Sequence, residues 1–252
     1  MNRERPQEQP SELETRWDMD ATRQLVCDVY GEVQARRAAP SVRSLSDRLA
    51  FAQWHYSDVR SILREFTCET LRERSVIDYV ADGETAIDTF SSFMVRVSAY
   101  VTAFVQTLHA LEDIAAHMVY FSLALDSGPL PLKAREISGH RVQKLIGARP
   151  AWKGLHSCLA NFDHSNEAKH LDALANLSKH RNIVIPRMTE DFTGETDRYQ
   201  ITLSDVKYAD EHFPAVPFSK FATEEFHRAS LLVVDLGNQL NTVLRGSKPA
   251  AG

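Results

Sequence analysis

Glycine and proline are scarce, ten of each in 252 residues, which leaves too few turns for a β-sandwich or a barrel. Cysteine is scarcer still: Cys27, Cys68 and Cys158 lie far apart, with no Cys-x-x-Cys pair. Neither a disulfide framework nor a thiolate zinc site is expected, and a reducing, cytoplasmic setting fits. The opening MNRERPQEQPSELETRWD has no apolar run, which speaks against a signal peptide or a membrane anchor. A basic excess is missing too. With 29 Lys and Arg against 34 Asp and Glu the formal charge is −5, so no polybasic nucleic-acid arm is present. No Gly-x-Ser-x-Gly, Walker or dinucleotide-binding glycine pattern occurs; serine-hydrolase chemistry is not indicated, and no cofactor is expected.

The composition that remains, 43% hydrophobic and 25% charged, is that of a soluble globular protein, and helix is its default. Residues 1–18 offer little to bury and are expected to be a disordered lead. From Asp20, the spacing of Leu25, Val26, Val29, Tyr30 and Val33 predicts a helix that stops at Ala38-Ala39-Pro40. Ser41 is placed to cap a second helix through Leu49, and a third follows through Phe66. These make an N-terminal helical extension over 19–82, bounded by Asp82-Gly83.

Residues 83–246 are expected to form the main bundle. Its dominant signal is an apolar stripe from Phe90 through Val97, Phe104, Leu111 and Met118 to Leu125, in alternating steps of four and three. This predicts one long helix over 86–126, with Thr85 and Asp88 as a capping box and Ser127-Gly128-Pro129 as its stop. The stripe is wider than a coiled-coil seam, so the helix should be the spine of a bundle. Further helices are predicted at HRVQKLIG, over Trp152–Phe162, from a Ser165 cap through Leu171, Leu174, Leu177 and Ile183 to a stop at Pro186, and from Phe226 to Val243. Met188–Phe192 and Arg198–Leu203 flank Thr-Gly-Glu-Thr and predict a small β-hairpin. Residues 247–252 are a tail. The expected class is all-α.

Charge is segregated. Between Lys133 and Arg187 ten basic residues face four acidic ones, a local +6 against −11 elsewhere, and five of the ten histidines fall in the same span. An anionic ligand would prefer that region. Within it, Asn176-Leu-Ser-Lys179-His180-Arg181-Asn182 ends a predicted helix. Asn176 and Lys179 share a helical face; Arg181 can fork onto a phosphate, Lys179 can add a point charge and His180 can shuttle a proton. Lys, His and Arg also favour helix C-termini for the dipole alone.

A long helix with the mid-helix acidic pair Glu112-Asp113, an antiparallel return and a late helix ending in Lys-His-Arg-Asn resembles the HEPN superfamily of α-helical bundles, over residues 85 to 245. The resemblance implies an RNA- or nucleotide-associated protein of the metal-independent ribonuclease type, common among defence proteins and toxins, with a homodimer that completes a composite site. On it, Arg181 and Asn182 match the family's Arg and polar positions, Lys179, Arg187 and Asn176 join as substrate-binding residues, and no metal is required. The family histidine is absent: Pro186, Arg187 and Met188 stand where it would fall. Either His180 replaces it, or cleavage has been lost and binding or scaffolding kept. In the second case Lys-His-Arg-Asn is a structural motif of a noncatalytic interaction protein.

Three other patterns point elsewhere. His109, Asp113 and His117 share a helical face at metal-ligand spacing, although opposite charges so spaced are ordinary on a wet helix. Residues 39–66 resemble a helix-turn-helix for DNA, but 19–66 hold seven basic and six acidic residues, and Phe51 and Trp54 are expected in the core. Cys158 beside His156 is expected to be a buried small residue rather than a nucleophile.

Overall fold

A computed structural model describes residues 16–72, 74–162, 166–180 and 183–247. The chain is mostly helical, with α1 at Met19–Tyr30, α2 at Glu32–Glu65, α3 at Val76–Val80, α4 at Glu84–Ser122, α5 at Gly139–Gly147, α6 at Lys153–Ala160, α7 at Asn166–His180 and α8 at Phe218–Arg245. It is not purely α. Strands β1 (Pro186–Glu190), β2 (Tyr199–Leu203) and β5 (Val216–Pro217) form an antiparallel sheet in the order β1-β2-β5, and β3 (Val206–Tyr208) pairs with β4 (Glu211–Phe213). The predicted hairpin is β1 and β2, with Met188 opposite Ile201. Asp191 closes its turn by accepting from the N–H and the hydroxyl of both Thr193 and Thr196. Those bonds favour the charged carboxylate and hold its pKa well below the usual range.

The spine is present as α4, with its bounds shifted. It starts at Glu84, after Gly83 at φ 116°, so Thr85 lies inside the helix rather than at a cap. It ends at Ser122, short of the expected stop, because Ala124 turns left-handed and Leu125–Ser127 tighten to a 3-10 turn. At the N-terminus the break falls at Gly31, φ 88°, and not at Pro40. α2 runs through Pro40 without interruption, with Ala38, Val42 and Leu45 buried on either side; burial of these apolar residues outweighs the local cost of the ring. Residues 39–66 therefore contain no helix-turn-helix, and Trp54 and Phe51, 69% and 53% exposed, are not in the core. α7 gives way before Ile183, which is exposed, and Pro186 opens β1. The expected Ser165 cap lies outside the described residues.

Two compact units are present. The first comprises the described residues of Met1–Arg43, Ala115–Ala160 and Ser230–Gly252. Here Trp17, which the sequence assigns to the lead, is buried: its indole covers Gly237 and donates to Thr22 Oγ1 at 2.8 Å. Thr22 donates onward to Asn241 Oδ1 at 2.7 Å, while Asp18 caps α1 by accepting from the Ala21 N–H. A buried hydrogen-bonded chain thus joins α1 to α8.

The second unit is Ser44–Ile114 with Asn161–Ala229. Phe66 of the π-helical end of α2 stacks on Phe93 of α4 at 4.1 Å, and Phe104 and Tyr56 meet Phe218 at the start of α8. The hairpin is docked by Tyr199 Oη donating to the Arg74 carbonyl and by Glu190 accepting from the Val76 N–H. This unit carries the polar end of α7.

Candidate functional site

α7 is amphipathic. Leu171, Leu174 and Ala175 are buried, while Asp172, Asn176 and Lys179 recur at steps of four and three and form a polar stripe. α4 presents Gln106 and His109, three residues apart, to that stripe. Lys179 Nζ lies 3.1 Å from His109 Nδ1, and His109 Nε2 lies 3.0 Å from Asp172 Oδ1. An ammonium can only donate, so Nδ1 accepts and the ring carries its proton on Nε2, which donates to the carboxylate. Asn176 Nδ2 donates to the same Asp172 oxygen at 2.8 Å. Gln106 Nε2 donates to the Ala175 carbonyl at 3.0 Å and to the Ser178 hydroxyl. The His109 ring is 21% exposed and the Asp172 carboxylate 50%; the network lies at the margin of the core, where its members are partly wet.

Of the six residues singled out in the Lys-His-Arg-Asn region, the structure brings together Asn176 and Lys179. Their partners are His109, which stands with Asp113 and His117 at metal-ligand spacing on α4, and Asp172, one turn before Asn176. Arg187 is elsewhere, on β1, lining a groove of about 550 Å³ with Leu177, Ile183, Ile185 and Lys207. His180 is described only as the last residue of α7, and Arg181 and Asn182 lie outside the described residues. The sequence does hold a signal for Asp172, because it extends the Asn176 and Lys179 stripe by one turn. It holds none for the pairing of α7 with His109, 63 residues away.

The recess beside this network is lined by His109, Glu112, Phe162, Asp172 and Arg228 and measures about 30 Å³. Small-molecule pockets run from roughly 300 Å³ upward, so this one admits no nucleotide. Behind it the Glu225 carboxylate is fully buried and is held by Arg228, whose Nη1 also donates to the Phe162 carbonyl. A buried carboxylate needs such a partner, since an unpaired charge there costs several kcal/mol, of order 3–5.

Among the described residues no three His, Cys, Asp or Glu side chains converge as metal ligands; His109 turns to Asp172 and Lys179. Cys158 is half-buried, and burial first, then the nearby Asp235 charge, pushes its thiol pKa up. A raised pKa is the opposite of what an activated nucleophile needs. The basic span is divided between the two units, and several of its members are already engaged: Lys169 with Glu211 at 2.8 Å, Arg141 with Glu136 at 3.7 Å, and Arg149 over the Trp152 ring. Among the described residues no helix is long and apolar enough to cross a membrane.

No family model, no curated protein and no solved structure matches the chain.

Proposed function

We propose that the chain is a noncatalytic, HEPN-like helical binding protein in which the polar end of α7 is a clasp on α4 rather than a ribonuclease centre. The observation that supports this reading is the double engagement of His109. Its Nε2 donates to Asp172 and its Nδ1 accepts from Lys179. A general base needs a free lone pair within reach of the proton it removes, and this imidazole has none. Lys179, the cation expected to sit on a phosphate, spends its charge on the same ring. The adjoining recess is too small for a nucleotide. Binding is kept in this reading, and Arg181, two residues beyond the clasp, is its phosphate contact by resemblance.

The test is incubation of end-labelled RNA with wild type, Arg181→Ala and Lys179→Met in chelator, with native and denaturing gels and a thermal melt run in parallel. Expected are intact RNA with all three proteins, a weaker native-gel shift for Arg181→Ala, and a loss of about 0.5–1.5 kcal/mol of stability for Lys179→Met. Metal-independent cleavage by wild type that either substitution abolishes would overturn the proposal.

A further inference from the structure

The second unit has a larger cleft, of about 500 Å³, that shares no residue with the clasp. Its floor is apolar: Val59 of α2, Ile201 of β2 and Phe218 of α8 are each under 5% exposed. Its rim is cationic. Arg60 and Arg64 stand one helical turn apart on α2, exposed, and among the described residues neither makes an ion pair. Arg198, on the opposite rim, is held in place. Its Nε and Nη2 donate to Glu190 Oε1 at 3.1 and 3.0 Å, and its guanidinium lies 5.0 Å from the Tyr199 ring centre. Among the described residues Asp197 is the only carboxylate in the lining.

Two further features favour an anion there. α8, a helix of 28 residues, starts at Phe218, and Ser219 of its first turn lines the cleft. The first turn of a helix carries N–H groups without intrahelical acceptors and a partial positive charge. Arg60 and Arg64 on one wall, without ion pairs among the described residues and with the Arg60 guanidinium 5.8 Å from the Tyr56 ring centre, and a helix start on another therefore bring donors to one cleft from two directions. A bare phosphate would use those donors but leave the half-buried Tyr56 and Leu63 side chains of the lining wet. A ligand joining a phosphate to a flat ring would satisfy both, with the ring against Tyr56 and Leu63. The volume suits a small ligand.

We propose that this cleft binds a free nucleoside monophosphate, with Arg60, Arg64 and the start of α8 on the phosphate and Tyr56 and Leu63 against the base. The site deepens the binding-protein reading but stands on different residues, so the two fail separately. Equilibrium dialysis of the full chain against labelled AMP, adenosine, inorganic phosphate and 5′-phosphorylated tetraadenylate tests it, with wild type, Lys179→Met and the double variant Arg60→Gln/Arg64→Gln. The site requires that AMP be retained by wild type and by Lys179→Met. The double variant should bind AMP at least about tenfold more weakly with an unchanged melting point, and adenosine and phosphate should each bind at least about tenfold more weakly than AMP. Failure of wild type to retain millimolar AMP would overturn the proposal, as would equal retention of adenosine or phosphate, undiminished binding by the double variant, or binding of tetraadenylate alone.

Discussion

His170 shows what burial does to a single side chain in this molecule. Its ring is stacked on Phe213 at 4.9 Å, meets Phe221 edge-on at 5.2 Å, and leaves Nε2 buried with no hydrogen-bond partner among the described residues. Burial therefore lowers its pKa from the ordinary 6.5. Between that lowered value and 6.5 the unfolded chain binds more protons than the folded one, so stability is full above 6.5 and falls as the pH drops through the window. His55, also lowered chiefly by burial and with an orphan Nδ1, acts in the same direction. His170→Phe should flatten the decline between about pH 7 and about pH 5 in urea unfolding; an unchanged slope would mean that the ring titrates freely. Asn176 and Lys179 were legible at this scale because they follow helical spacing. The partners that decide their role were not, because a hydrogen bond between α4 and α7 leaves no periodic trace in either segment.

At the scale of elements, periodicity located the spine, the hairpin and the last helix, and it misplaced breaks wherever tertiary burial competed with local preference. Pro40 is the sharpest case. In mid-helix it removes one N–H and crowds the carbonyl four residues back, yet α2 continues through it. Gly31, by contrast, takes a left-handed φ of 88°, and there the chain does break. Strands β3, β4 and β5 run for only two or three residues, too few for alternation to register. Since α2 is helical at Pro40 despite the ring, Pro40→Ala should restore a helical hydrogen bond and stabilise the protein by about 1–2 kcal/mol, net of the entropy that alanine returns to the unfolded chain. Denaturant midpoints at constant m-value check this; a destabilised variant would mean that the ring is needed for packing.

Across the whole molecule, each unit is assembled from discontinuous segments, a grouping that no window of sequence displays. The same long-range order joins Lys179 of α7 to His109 of α4 directly, and Asn176 to it through Asp172. In the second unit His109 of α4 is bracketed by Asp172 and Lys179 of α7. The most direct measurement is a double-mutant cycle of His109→Ala and Asp172→Ala, read by urea unfolding at one fixed pH. A clasp predicts that the two losses fall short of additivity by about 1 kcal/mol, because either substitution alone breaks the shared bond. Losses that add to within roughly 0.3 kcal/mol would contradict it.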